Sequence, residues 1–355
     1  MMTIFGESHG PYIGITLDGL APGITINDEY IKSQLSMRRP SGKISTARVE
    51  ADEYEIVSGA FNGKTTGTPL TIIIPNKVQH SKDYETGSRI ARPGHADYTA
   101  YCKYHGYEDF RGGGHFSGRI TAALVAGGAI ALSALKEKNI TIGTHILSCG
   151  GVKDRAFNDF NEDIKNVNGK AFAILDESIK DEMLKVMEKA ADEGDSIGGV
   201  LECAITGMPK GVGEPWFDTV EGVLSHAIFS IPAIKGIQFG AGFDMADCRG
   251  SEYNDPLRMD GDRIVTTTNN NGGINGGITN GMPIVFRCAV KPTPSIYKQQ
   301  KSVDFINDKD ADLSIVGRHD PAIIHRARIV VDSVSALVMY DMLAGRFGTD
   351  FFEGK

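Results

Sequence analysis

"ITAALVAGGAIALSAL", residues 120–135, is apolar almost all round and carries no charge. A surface helix shows a single apolar stripe, so this pattern predicts a helix over 117–136 buried at the centre of the protein. The stretch 176–192 reads differently: charges alternate with Ile179, Met183, Leu184 and Met187, the period of a surface helix. Further helices are expected over 28–37, about 96–102, 217–229 and 322–347. Between them "YIGITLDG" (12–19), "YEIVSGAF" (54–61), "TPLTIIIP" (68–75), "ITIGTHIL" (140–147), "GVLECAITG" (199–207), "IKGIQFG" (234–240) and "MPIVFRCAVKP" (282–292) read as strands. "TTGTPLTIIIPN" (65–76) echoes "ITNGMPIVFRCAVKP" (278–292), and a long buried helix follows each. The echo fits a duplicated strand–loop–helix unit and equally fits two similar strands with similar turns. No Pro/Ser-rich linker interrupts the chain, so residues 1–355 read as one integrated domain.

The net charge of −8 disfavours nucleic acid or a membrane surface as partner. Basic residues that matter must act locally, on a small anion. The cysteines, Cys102, Cys149, Cys203, Cys248 and Cys288, are odd in number and contain no CxxC pair. Neither a disulfide framework nor a zinc site is indicated, and a cytoplasmic location fits best. No apolar run of about 18 residues and no secretory leader is read. Glycine accounts for 43 of 355 residues, above ordinary usage of roughly 7%. The glycines gather beside histidines and asparagines, which suggests loops shaped around a ligand.

Two familiar motifs fail. "GAFNGKT" (59–65) has three residues between its glycines where a P-loop needs four, and a strand follows instead of a helix. "DKDADL" (308–313) lacks the turn glycine and the bidentate glutamate of a calcium loop.

What remains is a set of glycine-rich turns carrying imidazoles and guanidiniums. His9 sits in "FGESHG" (5–10), and His95 follows Arg92 in "RPGHADY" (92–98) at the start of a helix. In "FRGGGHFSGR" (110–119) three glycines lead into the central helix with Ser117 as its N-cap, and Arg111, His115 and Arg119 lie alongside. "MRRPSGKISTAR" (37–48) gathers Arg38, Arg39, Lys43 and Arg48 in a broken loop suited to closing over a phosphate or carboxylate. "TTTNNNGGINGGITNGMPI" (266–284) offers either hairpin turns or close backbone approach to a planar ligand. "KPTPS" (291–295) and "GRHDP" (317–321) add a cation with two hydroxyls, and Asp320 beside Arg318 and His319. Asp320 reads as an ordinary ion pair or as a carboxylate poised for proton transfer.

In this order these residues resemble the chorismate synthase family. The likeness runs from "FGESHG" through "RPGHADY", "RGGG", "CRGSEYNDP" (248–256) and "TNNNGGINGGITNGMPI" to "KPTPS" and "GRHDP". The resemblance implies an α+β fold, a large single-domain β-α-β sandwich with an internal pseudo-repeat, assembled as a homotetramer. It implies conversion of 5-enolpyruvylshikimate 3-phosphate to chorismate and phosphate by 1,4-anti elimination, with reduced FMN (FMNH2) and no net redox change. By the same resemblance the catalytic residues are His9 (acid toward the departing phosphate), His95 (proton donor near flavin N1) and Asp320 (proton transfer at flavin N5). The substrate would be held by His9, Arg38, Lys43, Arg48, Arg92, Arg119 and Arg318. The flavin would be held by His115, Phe116, Ser117, Pro232, Ala233, Gly276, Lys291, Pro292, Thr293, Pro294, Ser295 and Arg318. Such a substrate is a trianion, which accounts for guanidiniums from several loops, and imidazoles suit proton transfer at neutral pH.

The chain departs from the commoner family pattern at "GGHFSG", where His115 and Phe116 replace an arginine and a serine. Lys43 stands in for an arginine, exchanging a planar fork for a point charge, and Pro232 for an asparagine. The short start before "FGESHG" predicts a curtailed N-terminal strand pairing. Two other functions share these residues: a flavin oxidoreductase doing net redox work, and a non-catalytic anion-binding protein.

Overall fold

The computed structural model describes residues 1–39, 52–77, 89–315 and 320–354. Helices α1 (Asp28–Met37), α2 (Asp97–Tyr104), α3 (Thr121–Glu137), α4 (Phe160–Val167), α5 (Lys180–Asp192), α6 (Val220–Ile228) and α7 (Ile324–Phe347) provide the helical frame. The apolar run is α3, and every residue from Thr121 to Leu132 is buried. By length and composition Gly118–Glu137 could cross a membrane, contrary to the expectation that no segment reaches that length, but 83% of its apolar window is buried inside the protein. It is the core helix of the fold.

Two antiparallel sheets enclose the helices. The first contains β1 (Met2–Gly6), β2 (Tyr12–Leu17), β3 (Glu55–Ser58) and β4 (Leu70–Pro75), in the order β1-β2-β4-β3. The second contains β5 (Thr141–Cys149), β6 (Val152–Lys153), β7 (Gly199–Thr206), β8 (Ile234–Phe239) and β9 (Ile284–Val290), in the order β8-β9-β7-β5-β6. Helix α3 packs on β2 and β4, α7 packs on β5 and β7, and the two long helices pack on each other between the sheets. The register aligns the inward residues of β2 and β4 as the pairs Ile13–Ile74, Ile15–Ile72 and Leu17–Leu70, all buried. This is period-2 patterning, with one face given to the core.

The echo between 65–76 and 278–292 is a true repeat of topology. The first half runs β1, β2, α1, β3, hairpin, β4, α3; the second runs β5, β7, α6, β8, hairpin, β9, α7. The strands pair in the same order within each half, and α1 packs on α3 as α6 packs on α7. The pattern is the β-α-β sandwich with a pseudo-repeat.

Several boundaries differ from the sequence expectation, for local reasons. Helix α3 starts at Thr121, after a 3-10 turn at Gly118–Ile120 whose N-cap is Ser117. Similar short turns at Glu177–Ile179 and Trp216–Asp218 precede α5 and α6. The strand expected over 54–61 breaks at Gly59, where positive φ and the backbone of Leu70 leave no room for a side chain. Helix α4 was not foreseen; Asp159 caps it. Nor was β1, which pairs along its whole length from Met2–Leu17 to Gly6–Ile13, so the N-terminal pairing is not curtailed.

A buried charge cluster ties the second sheet together. His145 on β5 is fully buried, with Nδ1 at 3.0 Å from Asp154 and Nε2 at 3.1 Å from Glu202 on β7. Glu202 also accepts from Arg287 Nε on β9 (2.8 Å) and from the Phe157 amide (2.9 Å). Asp154 accepts from the amides of Arg155, Leu175 and Asp176. Carboxylates can only accept, so both imidazole nitrogens must donate, and the ring is an imidazolium. Burial pulls its pKa down, but the bonds to Asp154 and Glu202 outweigh burial and raise it. A raised folded pKa adds stability that is complete below the ordinary imidazole value of about 6.5 and fades as pH climbs through the folded value. Thermal unfolding followed from about pH 6 to about pH 9 should therefore show the wild type losing stability faster than His145→Gln. The variant, with two carboxylates left facing a neutral group, should be destabilised by about 3–5 kcal/mol at the acid end; parallel pH slopes would refute the assignment.

Candidate active site

Residues spread over the sequence meet where α3 and α7 begin. His9 lies in the turn between β1 and β2 and is buried. Its Nδ1 is 3.1 Å from Ser8 Oγ, which donates to the carbonyl of Arg111 (3.2 Å). Asn76, just past β4, clamps this turn by donating to the carbonyls of Glu7 (2.9 Å) and Gly10 (2.8 Å).

The triple glycine is the hinge of the arrangement. Gly112, Gly113 and Gly114 all have positive φ, which glycine alone adopts without strain. A Cβ on Gly112 would lie 2.2 Å from Cε1 of His9, and one on Gly113 would lie 3.3 Å from Cε1 and Nε2 of His95. The two histidines thus face neighbouring glycines of one turn. Gly114 closes it, its carbonyl accepting from the amide of Ser8 (3.1 Å) and its α-carbon packed against the Asp109 carbonyl. Arg111 is turned to Asp109 in a two-pronged pair.

Beside His9 the cations form one connected network. Arg119 Nε donates to Asn76 Oδ1 (3.0 Å), and its NH1 pairs with Asp52. Asp52 also receives NH2 of Arg38 (3.2 Å), whose NH1 reaches the Gly118 carbonyl (3.4 Å). Arg326 donates from Nε to the Arg38 carbonyl (2.8 Å) and from NH1 to Asp320 (2.5 Å). Burial pushes Arg38 down to about 10, so it remains a cation at neutral pH. Burial pushes Asp52 up, but Arg38 and Arg119 together hold it below the usual carboxylate range. Two guanidiniums thus converge on one carboxylate.

On the other side, Asp97 accepts from His95 Nδ1 (2.7 Å) and from Arg92 Nε (2.8 Å) and NH2 (2.6 Å). The turn of His95 touches the "KPTPS" segment: Lys291 Nζ donates to the Gly94 carbonyl, and Pro294 packs on Gly94. Pro93, Gly94, Lys291, Pro292, Thr293 and Pro294 line a cleft together with Ser196 and Gln300. Ala233, with φ of 75°, accepts from the Lys291 amide (2.9 Å) and brings exposed Pro232 alongside. Ser295 is buried beneath. His115 is exposed and bonds through Nδ1 to the Gly6 carbonyl (2.8 Å); Phe116 faces Tyr104, and Ser117 caps the turn before α3.

Of the residues expected from sequence, His9, His95, Asp320, Arg38, Arg92, Arg119, the 115–117 turn, Pro232, Ala233 and 291–295 therefore form one continuous chain of contacts. Gly276 does not join them. It tops the hairpin before β9, while Lys291 follows the far end of that strand, about 20 Å away at ordinary strand rise. Lys43, Arg48 and Arg318 lie outside the described residues. Sequence reading passed over Asn76, Asp52, Asp97 and Arg326. Asp97 follows His95 by two residues and was the most accessible of these; Asp52 lay just beyond a basic loop.

Comparison with known proteins agrees with this architecture. Residues 1–344 match the family model described as chorismate synthase. A chorismate synthase of Korarchaeum cryptofilum is 44% identical over 340 residues, covering 95% of this chain and 93% of that protein. One from Pyrococcus abyssi is 44% identical over 344 residues, covering 97% and 96%. A crystal structure of a chorismate synthase superimposes with a TM-score of 0.77 at 28% identity, covering 98% of this chain and 92% of that one.

The glycine turn can be tested without any ligand. Gly112→Ala should displace His9, seen as a shift of its imidazole NMR resonances. Gly114→Ala, with its Cβ 1.9 Å from the Asp109 carbonyl, should lose about 2 kcal/mol or more in thermal or denaturant unfolding. Gly118→Ala, which meets nothing within 4 Å, should stay within about 0.5 kcal/mol of wild type. Equal effects at all three positions would contradict the reading.

Proposed function

The chain belongs to the chorismate synthase family, and from that premise we propose how its own residues carry the family's reaction. The reaction is that of a lyase. 5-Enolpyruvylshikimate 3-phosphate loses phosphate and a ring hydrogen, and a new ring double bond gives chorismate with no net oxidation.

Arg38 and Arg119 hold the anionic substrate, aided by Lys43, Arg48 and Arg318. The observation that carries this reading is the shared carboxylate: Arg38 and Arg119 converge on Asp52 from two different elements, beside His9. A phosphate or carboxylate entering there would meet two converging guanidiniums in a site that water screens poorly. The start of α3 adds its dipole to the same side.

His9 gives its proton to the departing phosphate oxygen. Its Nδ1 edge faces Ser8 and Gly112, so Nε2 is the nitrogen assigned to the transfer. Asp320, steadied by Arg326, takes part in removing the ring proton.

Reduced FMN is the cofactor of this reading, and the cleft suits it on physical grounds. Pro93, Pro292 and Pro294 offer flat apolar surfaces in its lining, together with a cation, Lys291, and the backbone of Gly94. When bound, reduced FMN supplies an electron-rich ring that eases charge changes in the substrate during phosphate loss. The residues that would hold it are Lys291–Ser295, Pro232, Ala233 and the 115–117 turn, with Arg318, and His95 would keep a proton on its side. His115 is committed to the Gly6 carbonyl, so this turn would offer its backbone amides. Gly276 would enter from elsewhere, in keeping with a homotetramer in which a second copy approaches. Trp216, Phe217, Phe243, Leu257 and Met259 leave large apolar surfaces open to such assembly.

Anaerobic mixing with dithionite-reduced FMN and 5-enolpyruvylshikimate 3-phosphate should give chorismate and phosphate in equal amounts without pyridine nucleotide. Flavin oxidised in step with product would instead favour net redox chemistry. His9→Ala should slow turnover by about 10²–10⁴, the usual contribution of a positioned acid, while binding of substrate and flavin stays largely intact. A variant that weakened binding alone would point to an anion-binding protein.

A further inference from the structure

His95 has a carboxylate partner that the mechanism above does not use. Its Nδ1 lies 2.7 Å from Asp97 Oδ1. The same carboxylate accepts three bonds from Arg92: from the backbone amide (3.0 Å), from Nε (2.8 Å) and from NH2 (2.6 Å). Arg92 NH2 also stands 3.1 Å from His95 Nδ1. Two tautomers are open to a neutral imidazole. If Nδ1 carried its lone pair, that pair would face an acceptor-only oxygen at 2.7 Å. With the proton on Nδ1, imidazole and guanidinium both donate to Oδ1, and their 3.1 Å separation follows from sharing one oxygen. Burial pushes Asp97 up, but its bonds from Arg92 and His95 hold it well below the usual carboxylate range, so it stays an acceptor. Asp97 opens α2, where a negative charge is favoured.

We infer that Asp97 is a positioning residue for the reaction: it fixes the Nδ1–H tautomer of His95, leaving Nε2 on the edge that faces Gly113 as the site where the proton is held or released. Arg92 keeps that carboxylate ionised and in place, a task distinct from gripping substrate. When Nε2 is protonated, Asp97 stabilises the imidazolium without taking the proton itself. The inference rests on the reading of His95 given above, and its test separates the two.

Histidine-selective ¹⁵N NMR of the ligand-free protein should show His95 with a protonated Nδ1 and a bare Nε2 when neutral. Asp97→Asn, near-isosteric but uncharged, should yield a mixture of tautomers. In the anaerobic assay it should lower kcat by about 10²–10³ with KM changed by less than about threefold. Asp97→Glu keeps the carboxylate; it should retain the Nδ1–H tautomer with a smaller loss, and it serves as the working variant should Asp97→Asn fail to fold. An unchanged tautomer in Asp97→Asn, or kcat within about threefold of wild type, would overturn the positioning role. If the tautomer responds as expected but wild type forms no chorismate, the assigned reaction falls and the Asp97–His95 coupling stands.

Discussion

Where α3 crosses α7, a Cβ on Gly128 would sit 2.4 Å from the Cβ of Ser333 and 2.7 Å from its α-carbon. Only a glycine lets the two long helices meet backbone to side chain at this point. Ser333 is itself fully buried and satisfies its hydroxyl on the Ile329 carbonyl (2.8 Å). The spacing of the two halves of the fold is set here. The crossing falls a comparable distance from the start of each helix, and both starts reach Arg38: Gly118 through its carbonyl and Arg326 through Nε. The helices therefore run in the same general direction, and their positive ends share one corner.

That corner explains why buried cations are tolerated. A desolvated guanidinium without an anion is costly. Arg38 and Arg119 meet the cost with Asp52, Arg92 with Asp97, and Arg326 with Asp320. At Asp52 two guanidiniums share a single carboxylate. A folded protein of net charge −8 thus gathers several guanidiniums in one place. At His145, by contrast, the imidazolium lies between two carboxylates and the cluster serves the fold.

The sequence made the frame legible because the frame depends on periodicity. The all-round apolar run marked α3, alternation marked β2, β4 and β9, and glycines beside histidines marked the turns of the candidate site. Carboxylate partners were harder to read. Asp52 pairs with residues fourteen positions back and sixty-seven ahead, and no local pattern encodes such distances. Asn76 looked like the end of a strand, yet it holds the His9 turn from sixty-six positions away. Gly276 was read from a motif continuous with β9, and the strand itself carries it away from Lys291. Motifs record which residues a family keeps, while the fold decides which of them meet within one chain.

The pseudo-repeat supplies the reason that site residues cluster in separate stretches. Each half sends two elements to the same place: the exit of its last strand and the entry of its long helix. In the first half these are Asn76 after β4 and Gly112–Arg119 before α3; in the second they are Lys291–Ser295 after β9 and, at the start of α7, Asp320 with Arg326 in the first turn. Strand exits and helix entries carry the loops of an antiparallel sandwich, free to vary while the sheets keep their register. The halves have diverged most at their first turn. Between β1 and β2 it is five residues long and holds His9, whereas between β5 and β7 the chain inserts β6, α4 and α5. In the second half His145 lies on the strand itself, locked between two carboxylates. A duplicated frame with chemistry confined to its junction makes the site asymmetric without disturbing the core, because the residues that pack Gly128 against Ser333 take no part in it.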